Sequence, residues 1–329
     1  MCLAARTGRG AVEFCTVTVV VVGAGIAGLA CARELVDAGV PARVVERDTV
    51  VGGRLASVWR AGRPVDVGAA YLTADDPAFR GRVQSWRIEG LIRPWTDAFR
   101  GQHGSAPMRW SAPGGLRSLA AGLAAELDVT LGVEVTELPR AQAVVLAMPG
   151  PQALRIADLP VARGQAWSPV LTAVLTYPAR SWPDFAGVFV NDHPVVATVC
   201  DDGDRRGDRA PVLVAHSTAG FARDHGDAPG AAMAAAVGEL CGIAAEPVVE
   251  LFHWPHATPR PAGPPPPLTG PTADRLAHPT FARDGHVYLC GDAFGRPRVQ
   301  TAWLSGRAVA RAILRDNSLR ENGRQSTER

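Results

Sequence analysis

The chain has 329 residues, 47% of them hydrophobic and 20% charged, so it can bury a large core and divide it between two domains. With Lys+Arg 34 against Asp+Glu 32, its net charge of +2 lacks the strong field of a nucleic-acid binder or of a protein held on an anionic membrane. Every basic residue other than histidine is arginine, and the six cysteines (Cys2, Cys15, Cys31, Cys200, Cys241, Cys290) form no C-x-x-C pair, so neither a zinc site nor a disulfide framework is expected and a reducing cytoplasm is the expected compartment.

Residues 1–15 show no periodicity and read as a loose leader. Thr16 to Val22 is a β-branched run suited to a buried parallel strand, and Ile26 to Ala38 continues as a helix with Leu29, Ala32 and Leu35 on one face. Glycines at 23, 25 and 28 interrupt this apolar stretch, which argues against a signal sequence or membrane span. Ala42 to Glu46 is the next strand, Ser57 to Val67 a hairpin turning at Ala61-Gly62-Arg63, and Asp76-Pro77 caps a helix running to Glu89. A helix is expected over Gly115 to Leu127, and a buried strand over Ala143 to Ala147, broken by Met148-Pro149-Gly150. From Pro169 to His216, strand-like runs alternate with turn-rich stretches such as DDGDRRGDR, the texture of an antiparallel sheet. Asp227 to Cys241 reads as helix, Pro259 to Pro271 as a stiff connector, His286 to Cys290 as a last strand and Gln300 to Leu314 as a last helix.

Gly23-x-Gly25-x-x-Gly28 follows a strand and opens a helix, with Glu46 at the end of the next strand. Gly23 permits the tight turn, Gly25 lets the backbone approach a pyrophosphate, and Gly28 lets helix and strand pack closely; the helix N-terminus faces the phosphates. Glu46 would accept from ribose hydroxyls and repel a 2′-phosphate. Two further stretches favour FAD over NAD. Gly52-Gly53-Arg54 follows the second strand, and VYLCGDAFGRPRVQTAWLSG has a strand that delivers Gly291-Asp292 and a helix that starts near Gln300. Asp292 could anchor a ribityl hydroxyl, and that helix N-terminus would favour negative charge on a reduced flavin.

GAGIAGLACARELVDAG with Glu46, VGGRLAS, VDVGAAYLT, MRWSAPGGLRSLAAGL, VVLAMPGPQA, VLVAHST, RPAG and LCGDAFGRPRVQTAWLSG together resemble the FAD-dependent amine oxidase superfamily, and within it the renalase-like branch. The resemblance implies an α/β fold. A Rossmann-type FAD-binding domain of glutathione-reductase-like kind spans 16–75, 107–160 and 270–316, a substrate domain of antiparallel sheet plus helices spans 76–106 and 161–269, and 1–15 and 317–329 are loose termini. It implies FAD contacts at Gly23, Gly25, Gly28, Glu46, Arg47, Gly53, Arg54, Gly291, Asp292, Val299 and Thr301, and a flavin facing a cavity under the second domain's sheet. His216, Trp254 and Tyr71 are the catalytic candidates; Ala70, Tyr71, Phe252, His253, Trp254 and Trp303 are the candidate substrate lining. The implied activity is removal of a hydride from a small dihydropyridine-type or cyclic amine substrate, with oxygen as electron acceptor.

Some residues depart from that pattern. Ala70 stands where the branch has an amide (GAAYLT for GAQYFT), and Phe252-His253-Trp254 stands where it has H-R-W, so the pocket loses polar groups and should take a less polar or differently shaped substrate. Thr136 to Gln142 is too short for the usual β-meander, and there is no lysine to sit near a flavin. His216, His253 and His256 could each bind substrate, accept a proton or be structural. A biosynthetic flavin dehydrogenase or oxidase acting on a specialised metabolite is the alternative, and a non-catalytic flavin-holding interaction protein a more distant one. No metal site, nucleic-acid partner or membrane partner is expected.

Overall fold

The computed structural model describes residues 4–7, 10–13, 19–102, 104–260, 277–278 and 280–327. They fall into two compact units, one made of residues 1–53, 120–166 and 259–329, the other of residues 54–119 and 167–258. The fold is mixed α/β, with a Rossmann-like unit and an antiparallel-sheet unit, as expected. Residues 54–75 and 107–119, expected with the first, belong to the second. The reason is packing: Ala56, Val65 and Val67 around the hairpin Ser57–Arg60/Arg63–Asp66 share one apolar cluster with Val174, Val212 and Val214 of the antiparallel sheet.

The first unit is built on a seven-stranded sheet, in spatial order Ala277–His278, Phe281–Asp284, Val287–Leu289, Ala143–Leu146, Val19–Val22, Ala42–Val45 and Asp128–Thr130. The last five are parallel. Val19, Val20 and Val21 are wholly buried, which is why this strand reads as an unbroken valine run rather than an alternation. The chain passes from it through the helix Ile26–Asp37 to Ala42–Val45 on one side, while Ala143–Leu146 lies on the other. The strand order therefore reverses beside Val19–Val22, the place where open α/β sheets bind nucleotides. No strand is found between Thr130 and Ala143, in line with a trimmed meander. The final helix runs Val299–Thr327, past the expected end at Leu314 and into the tail expected to be loose. It packs so closely on the motif helix that a Cβ on Gly306 would overlap the Ala27 carbonyl oxygen. Ala4–Thr7 and Gly10–Glu13 pair as an antiparallel hairpin where a loose leader was expected. The proline-rich connector lies outside the described residues beyond Arg260.

The second unit carries a five-stranded antiparallel sheet, in order Gly187–Phe189, Val196–Asp201, Val212–Ser217, Trp167–Thr176 and Val248–Pro259. The period of two sorts its faces. Leu171, Ala173, Leu175, Leu213 and Ala215 pack against Met233 and Val237 of the helix Pro229–Cys241, whereas Val174, Val212 and Val214 pack against the hairpin. The stretch DDGDRRGDR, expected as a turn, contains the short helix Asp202–Arg206, capped by Asp201 and closed by Gly207 in the left-handed region. It is a helix because its charges are paired in the interior. Arg205 is fully buried and bonds Asp202, Arg206 pairs with Asp66, and Arg63 pairs with Asp202.

Candidate functional site

In the first unit, the three motif glycines meet different surroundings. Gly23 has φ +106°, and a Cβ there would lie 2.7 Å from the Ala147 carbonyl oxygen. A Cβ on Gly28 would overlap the Gly23 carbonyl oxygen. Gly25 has ordinary φ −75°, and nothing lies within 4 Å of where its Cβ would be. Turn and packing thus demand glycine at 23 and 28, while at 25 the missing side chain leaves open space over backbone N–H groups at a helix start. The Gly52-Gly53 turn is brought to the same place: the Gly52 N–H donates to the Ala24 carbonyl (2.9 Å), and Gly25 and Gly52 form a parallel bridge.

Glu46 is buried, and both its oxygens are used: Oε2 accepts from Ala24 N–H (2.7 Å) and Oε1 from Asp48 N–H (3.0 Å). The carboxylate holds the glycine turn in shape, and each oxygen keeps a second lone pair for a hydroxyl donor. Arg47 is exposed beside Asp48. Gly291, at φ +150°, also faces open space; its N–H donates to Ser305 Oγ (3.0 Å), tying the end of Val287–Leu289 to the final helix. Asp292 is buried. Val299 opens the final helix, and Thr301 Oγ1 donates to the Arg296 carbonyl (2.5 Å) in its first turn. Trp303 is buried with the Arg307 guanidinium 4.6 Å from its ring centre.

These features fit a dinucleotide with two anchors: a cradle over glycines 25 and 53 that a Cβ would fill, a buried carboxylate positioned by backbone amides, and a second glycine–acid turn facing open space. Among the described residues no cluster of side chains could hold a metal ion, and no helix is long and apolar enough to cross a membrane.

In the second unit, the candidates converge on one peptide segment, Asp66 to Leu72. The Trp254 indole N–H donates to the Val67 carbonyl (3.0 Å), His216 Nε2 bonds the Gly68 carbonyl (3.0 Å), and Arg205 Nη1 donates to the Ala70 carbonyl (2.7 Å). Leu72 exchanges both backbone bonds with Trp110. The catalytic candidates His216 and Trp254 therefore hold the strap that carries Tyr71. Burial takes the His216 imidazole down to about 4, Arg205 pushing the same way and the Gly68 bond opposing, so the ring is neutral near pH 7. Burial alone would raise the Asp202 carboxyl, but Arg205, Arg206 and Arg63 hold it below its ordinary value.

On the strand Val248–Pro259, Phe252 and Trp254 face the apolar cluster while His253 points the other way and is exposed, so His253 is not brought together with them. Arg54 lies over the Trp167 ring (5.1 Å) and donates to the Ala257 carbonyl (2.9 Å). Two arginines not singled out in the sequence stand beside the strap. Arg205 is one. Arg109 is the other, buried within 5.1 Å of the Tyr71 ring centre and 4.2 Å of that of Phe99. The only sequence signal for either was an arginine beside tryptophan or in a charged run, patterns that ordinarily lie on the surface.

Residues 21–86 match the model of an NAD(P)-binding Rossmann-like domain. Curated relatives match over the same kind of short segment: a phytoene dehydrogenase of Streptomyces griseus is 50% identical over 58 residues, and polyamine oxidase 4 of Arabidopsis thaliana 44% identical over 55 residues. Each match covers 18% and 17% of this chain and 11% of the relative, so the chain aligns with only about a tenth of those proteins. Solved structures match over far more of the chain. A protein assigned as a protoporphyrinogen oxidase from Exiguobacterium sp. 255-15 superposes with TM-score 0.71 at 15% identity, over 91% of this chain and 99% of that one. Wild-type putrescine oxidase bound to putrescine superposes with TM-score 0.66 at 15% identity, over 90% and 98%. The fold of this chain is therefore the one these solved structures share.

Proposed function

We propose that this chain is an FAD-dependent oxidoreductase that oxidises a small dihydropyridine-type or cyclic amine donor, in the manner of the renalase-like branch, with oxygen as terminal acceptor. The observation that carries the reading is the joining of the Gly23–Gly28 turn, the Gly52-Gly53 turn and the Glu46 carboxylate through short backbone bonds at the point where the strand order reverses. Gly25, Gly53, Gly291 and Glu46 would hold the dinucleotide, with Asp292 at its second anchor. FAD bound there supplies a two-electron acceptor for a C–H beside nitrogen.

The second unit's part is orientation: Tyr71 and the strap held by His216, Trp254 and Arg205 present a stacked, rigid surface to a planar donor. A biosynthetic dehydrogenase or oxidase is the second reading, favoured by Ala70, which offers only a backbone carbonyl, already taken by Arg205, where an amide is expected.

Purified protein should be yellow and release FAD, not FMN or NAD, on denaturation. Anaerobic mixing with dihydronicotinamide isomers and cyclic amines should bleach it with one class. Protein that stays colourless after incubation with FAD would end the reading.

A further inference from the structure

The second unit treats its buried arginines in two ways. Arg205 has a complete set of acceptors: Asp202, the Ala70 carbonyl and the Asp66 carbonyl. Arg206 pairs with Asp66, and Arg63 with Asp202 and Asp208. Arg109 is as deeply placed, only 4% exposed, yet among the described residues it takes part in no ion pair. Its Nη2 donates to Gln102 Oε1 (2.7 Å), a neutral acceptor, and its Nε and Nη1 are buried without any acceptor. A buried charge so poorly matched is costly, and a fold that supplies carboxylates to three neighbouring arginines could have supplied one here.

Rings replace the missing carboxylate. Phe99, Tyr71 and Phe189 stand 4.2, 5.1 and 5.5 Å from the guanidinium carbon, and Trp95 closes the cluster, 5.4 Å from Phe99. Phe99 is the buried member, whereas Tyr71, Trp95 and Phe189 are each partly exposed, so the cluster meets solvent on their side. Ring faces hold a guanidinium without consuming its N–H groups, leaving them for a planar acceptor.

We infer that Arg109, framed by Tyr71, Phe99 and Phe189, receives an anionic group of the substrate, so that the donor is a planar compound bearing a carboxylate and not a simple cationic amine. This rests on the proposed role of Tyr71 in substrate binding. A guanidinium–carboxylate pair at a desolvated site discriminates strongly against a neutral analogue, whose amide cannot satisfy the charge, and repels an ammonium.

The test is calorimetric titration of the FAD-loaded protein with benzoate, benzamide and benzylamine. Benzoate should bind at least about tenfold more tightly than benzamide, and benzylamine should not bind. Arg109→Gln should erase the preference, and Arg109→Lys, which keeps the charge but not the planar fork, should keep a reduced one. Benzamide binding as tightly as benzoate, no binding of either, or an unchanged preference in Arg109→Gln would each overturn the inference. If Arg109→Gln does not fold, the wild-type panel and Arg109→Lys still decide it. FAD released from the same samples reports separately on the flavin reading, so the two can fail independently.

Discussion

His216 shows how one residue's surroundings set its chemistry. Its folded pKa of about 4 lies below the value of about 6.5 of an unfolded histidine. The folded protein resists protonation there, so the stabilisation is complete above pH 6.5 and is lost as pH falls toward 4. A shift of that size corresponds to at most about 3 kcal/mol at pH 4, reduced by the part of the ring that meets solvent. Urea unfolding of wild type and His216→Gln at pH 7 and pH 4 should show a smaller acid loss in the variant, carboxylate effects cancelling in the difference. Any acid limb in turnover owed to His216 should likewise fall near pH 4, and a limb near 6.5 would assign it to another group. The demand for glycine at 23 and 28 was legible, because a tight turn and a close helix–strand contact are local. Arg109 and Arg205 were not legible, because their surroundings are rings, a carboxylate and backbone carbonyls up to 139 residues away in sequence.

At the level of elements, the motif turn separates two effects that glycine substitutions usually confuse. Gly28→Ala places a methyl on the Gly23 carbonyl oxygen and should destabilise the first unit by several kcal/mol, visible as loss of folded protein. Gly25→Ala meets nothing within 4 Å and keeps an allowed backbone, so it should fold with unchanged far-UV circular dichroism while retaining FAD at least about tenfold more weakly. Equal FAD retention would mean that the pyrophosphate lies elsewhere. Four strands of the first sheet, Val19–Val22, Ala42–Val45, Ala143–Leu146 and Val287–Leu289, were readable because burial on both faces writes apolar runs, whereas Asp128–Thr130, Ala277–His278 and Phe281–Asp284 carry no such run. The helix Asp202–Arg206 was not, since a charged run signals solvent unless its partners are known. The strand Val248–Pro259 escaped because Pro255 and Pro259 read as breaks, which a strand at the sheet edge tolerates.

Over the whole molecule, the expected pair of domains is present, but the boundary moved because hairpin Ser57–Asp66 follows its apolar face rather than its place in the chain. The features that fit the cofactor lie mainly in the first unit, so ligand binding should stabilise that unit selectively. Stripping FAD should lower the first thermal transition, and restoring it at a hundred times its Kd should return about 2.7 kcal/mol. A single transition indifferent to FAD would contradict this.

The contact between Gly306 and Ala27 bears on when the proposed dinucleotide site can form. The motif strand finds one sheet neighbour close in sequence, residues 42–45, but the other comes from residues 143–146, and the helix packed on the motif helix begins only at residue 299. Over 250 residues must be synthesised between the two sides of that contact, during which the motif helix lacks the helix that packs on it. Nascent chains stalled before residue 299 should therefore retain FAD far more weakly than chains extended past the final helix, which flavin fluorescence of the stalled complexes would report.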